Sequence, residues 1–149
     1  MRRVLLFALA FALLAGRVEA ATVMAVSDAW SRPAISGGTG VVYLRIVNRG
    51  ASGDRLDNAR SPVASAVELH RSMSAMPMAG MKMDGMVMSM ERVPAVAIPP
   101  RGNVAFSAGG YHVMLINLRH DLHPNQWFPL SLHFARAGWT TVNVRVRPI

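Results

Sequence analysis

The stretch GGYHVMLINL, residues 109–118, decides the class of fold more clearly than any other part of the chain. Two glycines are followed by a run of aromatic, β-branched and aliphatic side chains, which is typical of a buried strand. Successive side chains of a strand point to opposite faces of a sheet. We therefore expect Tyr111, Val113 and Leu115 on the core face, and His112 and Met114 together on the outer face.

The rest of the chain repeats this pattern as short strand-like segments that end in glycine, asparagine or proline. VVYLRIVN and ASAVELHRS are two such segments, and WFPLSLHF and WTTVNVRV form a closing hairpin. After residue 20 we find neither the period of an amphipathic helix nor an alternation of strands with helices. The sequence therefore predicts an all-β fold, a Greek-key β-sandwich or barrel.

The first twenty residues, MRRVLLFALAFALLAGRVEA, have the three parts of a secretory signal peptide. A basic start precedes an apolar run from Val4 to Leu14, which is too short to span a bilayer, and a small-residue cleavage site ends at Ala20. We predict export to the periplasm and a mature chain of 129 of the 149 residues. That length suits a single domain, residues 21–149, with its own core.

The composition excludes several classes of site. The chain has no cysteine, so disulfides, thiolate metal sites and cysteine nucleophiles are ruled out. Removal of residues 1–20 lowers the formal net charge from +8 to +6. A basic balance is ordinary solvation or steers the protein to acidic partners or anionic lipid, and nothing in it indicates nucleic-acid binding. We find no Ser-His-Asp arrangement and no phosphate-binding glycine motif, so we do not expect a hydrolase. Together with the metal-binding interpretation given below, this predicts a binding protein and not an enzyme.

Methionine is concentrated in the tract MSAMPMAGMKMDGMVMSM, where eight of the eighteen residues from Met73 to Met90 are methionine. Its Pro, Gly, Lys and Asp residues predict a methionine-rich loop over residues 73–86. The end of the tract alternates, so Met88 and Met90 are expected on one face of a following strand. Thioethers exposed in a loop favour a functional role. Core filling, or a flexible apolar surface that binds a partner, are the alternatives.

Four side chains supply two imidazoles and two thioethers if their strands come together: His70, Met90, His112 and Met114. Thioether sulfur is a soft ligand that selects copper(I). Zinc takes thiolate, imidazole and carboxylate, while calcium and magnesium take oxygen. We therefore predict that these four residues bind one copper(I) ion. A copper enzyme would need a stable copper(II) state, which thioethers disfavour.

These residues give the chain a resemblance to the periplasmic copper chaperones called PCuAC, whose copper motif is written H(M)X10MX21HXM. Met90 and His112 enclose 21 residues, and His112 and Met114 complete the HXM element. The resemblance covers most of residues 22–147. It extends to the segments DAWSRP, VVYLRIVNRG, DRLDNARSPVASAVELH, MERV, IPPRG and GGYHVMLINL, which follow in the family's order.

The chain departs from the family motif in its first half. Nineteen residues separate His70 from Met90, more than in the family, and Arg71 stands where the motif has its optional methionine. Met73 and Met88 are therefore accessory ligand candidates.

The resemblance implies a cupredoxin-like β-sandwich that binds copper(I) near an exposed edge. It also implies delivery of the ion to the dinuclear copper site of cytochrome c oxidase, in company with a thioredoxin-like copper chaperone. Copper storage or tolerance is the alternative if the long loop binds several ions.

Further polar and aromatic residues receive simpler interpretations. The loop RHDLH offers His120 and His123 as harder ligands for a second, copper(II) site, although solvated loop histidines are the favoured explanation. His133 alternates with apolar residues and is expected to be structural. Asp54 and Asp57 are expected to support turns. The three tryptophans are expected to pack in the core or at its rim: Trp30, Trp127 and Trp139.

Overall fold

The computed structural model describes residues 23–74 and 88–148, and all of its regular elements in these ranges are strands. The predicted signal peptide and residues 75–86 of the predicted loop lie outside the described residues. No helix long and apolar enough to cross a membrane is found in the described part of the chain. The ten strands are β1 (Met24–Ser31), β2 (Gly40–Asn48), β3 (Asp54–Arg60), β4 (Ala64–Ser74), β5 (Met88–Arg92), β6 (Val96–Ile98), β7 (Asn103–Phe106), β8 (Tyr111–Leu118), β9 (Trp127–Phe134) and β10 (Gly138–Val146).

The ten strands form one sheet in the order β5-β4-β8-β7-β2-β1-β10-β9-β3-β6, with a further pairing of β8 to β2. Neighbouring strands are antiparallel except in the pairs β1–β10 and β7–β8. The closing hairpin predicted from WFPLSLHF and WTTVNVRV is confirmed, because the whole of β9 pairs with residues 138–145 of β10. The all-β prediction is confirmed as well.

The sheet curls so that its inner face encloses one hydrophobic core. In β2 every second residue is buried, from Gly40 to Asn48, as expected for a strand with one face on the core. Leu69 and Val113 from one half of the sheet belong to the same buried cluster as Leu132 and Phe134 from the other half. The two halves of the curled sheet therefore pack face to face.

The tryptophans were expected in the core or at its rim, and the core position is wrong for all three. Trp127 and Trp139 keep 62% and 46% of their surface exposed, and Trp30 is partly buried. The alternation of β9 explains the difference, because Phe128 is buried and its neighbour Trp127 must then face outward.

The strands that carry the predicted ligands lie together at one end of the sheet. β5 is the edge strand, β4 is its only neighbour in the described sheet, and β8 follows. Val113 is fully buried and pairs with Leu69, which turns His112 and His70 to the outer face. The predicted faces of β8 are thus confirmed.

Candidate metal centre

A pair of histidines on adjacent strands forms the centre of the candidate site. His70 on β4 and His112 on β8 are direct partners in the antiparallel ladder, and direct partners project from the same face. Their ring centroids are 5.9 Å apart. Although it lies on the outer face, His112 is only 3% exposed, and His70 is partly buried.

A hydrogen bond fixes the protonated nitrogen of each ring. His70 donates from Nε2 to Oε2 of Glu68 at 2.9 Å, since a carboxylate only accepts. His112 donates from Nδ1 to the carbonyl oxygen of Gly110 at 3.1 Å. Each neutral imidazole therefore keeps its lone pair on the other nitrogen, Nδ1 in His70 and Nε2 in His112.

These two lone-pair nitrogens, His70 Nδ1 and His112 Nε2, are the buried side-chain polar atoms that lack a hydrogen-bond partner within residues 23–74 and 88–148. A buried polar atom without a partner is costly, and native structures contain few of them. Both atoms come from rings in direct ladder contact. The arrangement therefore offers two imidazole nitrogens that could bind a metal ion.

Glu68 forms a second layer around this pair. Its Oε1 lies 3.7 Å from Nη1 of Arg92, while its Oε2 accepts from His70. The hydrogen bond from His70 lowers the pKa of Glu68, partial burial opposes that effect, and the charge of Arg92 lowers the pKa further. The side chain is therefore a carboxylate at neutral pH. Glu68 is a site residue not predicted from the sequence, although its spacing from His70 in VELH already places the two side chains on one face.

The predicted thioethers lie on the same outer face as the histidine pair, Met114 on β8 and Met90 on the edge strand β5. Met114 pairs with Glu68, lies two residues from His112 on the same face and is partly buried. Met90 on β5 pairs with Ser72 on β4 and is 60% exposed. Because Ser72 is two residues from His70, Met90 belongs to the same outer face one strand further out. One thioether is thus held within the sheet and the other stands at its open edge.

The accessory candidates lie where the β4–β5 pairing begins. Met73 pairs with Ser89 and is 47% exposed, so it belongs to β4 rather than to the predicted loop. The alternation of β4 puts Met73 on the face opposite to His70, which does not favour it as a ligand. Met88 pairs with Ser74 through the backbone.

The remaining histidines do not form a second centre. Within residues 23–74 and 88–148 no group of three or more His, Cys, Asp or Glu side chains could hold a metal ion. His120 bonds through Nδ1 to the carbonyl oxygen of Asp121, whose carboxylate accepts from the backbone of Ser36. The copper(II) alternative at His120 and His123 therefore gains no support from the structure.

The structural role expected for His133 agrees with its contacts. Its Nδ1 donates to Oδ1 of Asp57 at 2.6 Å, and its ring packs on Trp139 at a centroid distance of 4.8 Å. Asp57 therefore orients a histidine, in place of the turn-supporting role expected from the sequence.

Comparison with known proteins identifies a family. The family model described as "LpqE-like: Putative lipoprotein LpqE-like" matches residues 24–146. A similar protein from Leifsonia xyli subsp. xyli, named "Putative lipoprotein Lxx21020", is 27% identical over 122 residues, which are 82% of this chain and 68% of that protein.

Solved structures with the same fold include two PCuAC domains. The apo PCuAC domain from PmoF1 has a TM-score of 0.68 at 18% identity, over 85% of this chain and 95% of that domain. The copper-bound PCuAC domain from PmoF2 has a TM-score of 0.65 at 24% identity, over 85% and 94%. The solution structure of CuI-DR1885 from Deinococcus radiodurans has a TM-score of 0.58 at 24% identity, over 89% and 85%. The predicted cupredoxin-like Greek-key β-sandwich is thereby confirmed.

Proposed function

The chain belongs to the LpqE-like family, and from that membership and the geometry of its histidine pair we propose that it is a copper(I) chaperone. It binds one copper(I) ion through His70, Met90, His112 and Met114 and transfers it to an acceptor protein in the periplasm. The acceptor is the dinuclear copper site of cytochrome c oxidase, with a thioredoxin-like copper chaperone as a further partner.

One observation carries the proposal. His70 Nδ1 and His112 Nε2 are buried and lack partners, although both rings are already fixed through their other nitrogens. An ion bound between them would satisfy both atoms at once. Since rings held by a carboxylate or carbonyl are typical of metal-ligating histidines, the pair supports a metal as the missing partner.

The choice of copper(I) rests on the other donors within reach. Glu68 contacts the pair only through the protonated Nε2 of His70. In the described part of the chain no three His, Cys, Asp or Glu side chains are placed to hold a metal ion together, so a site for zinc or for copper(II) with harder ligands would be incomplete. Met114 and Met90 add soft thioethers on the same face. The names of two similar structures, one copper-bound and one CuI-loaded, agree with this choice.

Transfer follows from the unequal burial of the donors. Met90 is the most exposed ligand and stands on the edge strand, so it leaves first when an acceptor's ligands approach. His112 is almost completely buried and releases the ion last. The protein binds and hands over the ion and performs no catalysis. The lipoprotein names of the family and of the Leifsonia protein support an exported location.

The proposal is tested by anaerobic titration of the mature protein with copper(I) against a chromophoric chelator. We expect one tightly bound ion. His112→Ala should abolish competitive binding, and Met114→Leu and Met90→Leu should each weaken it, Met114→Leu by about tenfold or more. Leucine is used because it preserves volume and apolar character while removing only the sulfur.

Two matched variants control for general damage to the fold. Met24→Leu removes a buried thioether from the core, away from the site, and His133→Ala removes a histidine that is held by Asp57. Both should bind copper(I) like the unaltered protein. The absence of competitive binding in the unaltered protein would refute the proposal. It would leave the methionine tract as a protein-interaction surface.

A further inference from the structure

A line of aromatic and arginine side chains crosses the outer face of the sheet. Tyr43 on β2 pairs with Trp30 on β1, Trp30 pairs with Arg145 on β10, and Arg145 pairs with Trp127 on β9. Direct ladder partners project from the same face, so these four side chains form one continuous row. Arg147, two residues beyond Arg145, joins them. We refer to these five residues as the aromatic–arginine row.

Close contacts join the members of the row. The rings of Trp30 and Tyr43 lie 4.9 Å apart between centroids. The guanidinium of Arg147 lies 4.8 Å from the ring centroid of Trp30, and that of Arg145 lies 5.8 Å from the ring centroid of Trp127. These are cation–π distances. Each indole is thus held against a positive charge while Trp127 remains 62% exposed.

A β-bulge directs Trp30 into this row. The β1–β2 register shifts between Ser27 and Trp30, and Asp28 within the shift has a φ of 53°. A bulge inserts one residue and re-aims the side chains that follow it. The bulge therefore determines which side chain of β1 contacts Tyr43. Bulges of this kind often orient side chains at functional surfaces.

The row lies beside the proposed copper site. Val42 pairs with Val113, so the next residue on each antiparallel strand, Tyr43 and His112, are neighbours on the outer face. His112 in turn pairs with His70. A protein that covers the row would therefore also lie next to the ligands of the ion.

The charge of the row is positive and unbalanced. Within residues 23–74 and 88–148 neither Arg145 nor Arg147 forms a salt bridge with a carboxylate, and Arg145 only donates to the side-chain oxygen of Asn125 at 3.3 Å. An occupant that brings carboxylates would satisfy both guanidinium groups. Complementary charge also speeds the encounter of two proteins.

We propose that the aromatic–arginine row is the docking surface for an acidic face of the copper-acceptor protein. This inference rests on the proposed function. Tyrosine, tryptophan and arginine are the residues most enriched in the energetic centres of protein interfaces, and the row consists of these three types alone. The row lies next to the histidine pair, and this position favours an acceptor protein over a lipid surface. Transfer requires the acceptor to come close to the bound ion, whereas binding to lipid does not.

The test measures binding of the mature protein to the soluble copper-bearing domain of a cytochrome c oxidase subunit by calorimetry at low ionic strength. We expect Arg147→Glu and Trp127→Ala each to weaken the complex by about tenfold or more. Two matched variants should stay within about twofold. Arg49→Glu reverses an exposed charge outside the row, and Trp139→Ala removes an exposed indole held by Arg60 and His133.

Transfer of copper(I) to a small chelator separates this proposal from the copper function. All four variants should deliver the ion to the chelator at the rate of the unaltered protein, because a chelator needs no docking surface. If the variants of the row and the controls bind the domain equally, or if the domain does not bind at all, the docking surface is refuted while copper binding stands. If row variants instead lose binding only to phosphatidylglycerol vesicles, the row is a lipid surface and the proposal is wrong.

Discussion

At the scale of single residues, the candidate site depends on how two imidazoles are oriented. Glu68 accepts from His70, and Gly110 accepts from His112, so each ring presents a different nitrogen to the space between them. The hydrogen bond from His70 lowers the pKa of Glu68, and Arg92, 3.7 Å from the other carboxylate oxygen, lowers it further. Contacts from Arg92 to Glu68 and from Glu68 to His70 therefore connect the edge strand β5 with the centre of the site.

We predict that Glu68→Ala weakens copper(I) binding by about tenfold or more, because carboxylates that orient ligating histidines have effects of this size. The His70 ring would lose its fixed orientation and its preferred protonated nitrogen. Glu68→Gln should recover part of the affinity, since its amide oxygen can still accept from Nε2. The measurement is competitive titration against a copper(I) chelator.

Glu91→Ala is the control for this prediction. Glu91 is exposed on β5 and pairs with Arg71, so it lies on the opposite face. Its removal changes the net charge equally and should leave the affinity within about twofold of the original. Equal weakening by both variants would mean that charge alone, and not the orientation of His70, accounts for the effect.

At the scale of the elements, polar side chains fasten the loops to the strands. Asn48 ends β2 and is 1% exposed. Its amide donates to the carbonyl oxygens of Ser52 and Pro99 at 2.9 and 3.1 Å, and its own oxygen accepts from the backbone of Gly50 at 2.8 Å. One buried side chain thereby holds two separate turns against the end of a central strand.

Asn48→Asp should lower the free energy of unfolding by about 3 kcal/mol or more at neutral pH. A carboxylate cannot donate, so the substitution removes two hydrogen bonds and buries a charge against two carbonyl oxygens. Chemical denaturation gives the value. Asn103→Asp, at an exposed position on β7, makes the same chemical change and should alter stability by no more than about 0.5 kcal/mol.

Asp54 joins β3 to the turn between β9 and β10. Its carboxylate accepts from the backbone N–H groups of Arg55, Arg136 and Ala137 at 2.8, 2.9 and 3.0 Å. Partial burial raises the pKa of Asp54, but the three backbone donors and the charge of Arg136 outweigh it and leave the pKa below its ordinary value of 3.8. The expectation that Asp54 supports a turn agrees with these bonds.

A lowered pKa in the folded state makes the contribution of Asp54 depend on pH. The contribution of Asp54 to the free energy of unfolding is fully present above the unfolded pKa of 3.8 and is lost as the pH falls through the lower folded pKa. Asp54→Asn should therefore cost about 1–2 kcal/mol at pH 7, and the difference from the unaltered protein should shrink below pH 3.8. Urea denaturation at several pH values measures this. Asp28→Asn, at an exposed position, should show no such convergence.

The period of the strands explains which parts of the site could be predicted from sequence. Because side chains alternate, HVM in β8 was enough to place His112 and Met114 on one outer face. The same alternation does not predict which strand pairs with β8, or which of its residues lies opposite His112. His70 meets His112 through the register of β4 and β8, which joins residues forty-two apart in the chain and depends on how the whole sheet closes. The alternation of WFPLSLHF also predicts the outward position of Trp127, although the size and apolar character of tryptophan favour the core or its rim.

At the scale of the whole molecule, one sheet serves both a core and two outer surfaces. The inner face holds the hydrophobic cluster, while the outer face carries the histidine pair at β4 and β8 and the aromatic–arginine row from β2 to β9. A ligand bound on the outer face bridges strands whose inner faces build the core. Binding and global stability are therefore coupled.

We predict that copper(I) at a free concentration 100 times its dissociation constant stabilises the folded protein by about 2.7 kcal/mol, as linkage requires for one site that is absent in the unfolded chain. Anaerobic thermal unfolding with a buffered copper(I) concentration measures the gain. His112→Ala should unfold at the same temperature with and without copper. A shift that survives in this variant would indicate binding outside the proposed site.

The hairpin of β4 and β5 marks a position where the number of residues in the chain can vary. The pairing of Ser74 with Met88 closes the hairpin, so the intervening residues 75–87 can vary in number without altering the register that sets Met90 opposite Ser72. As a general rule, doubling the length of a flexible loop between two paired ends costs only about 0.6 kcal/mol. The extra spacing between His70 and Met90 is thus compatible with an unchanged ligand geometry. The same position is a natural insertion point for engineering, where a reporter peptide or a fluorescent domain could be grafted beside the site to signal its occupancy.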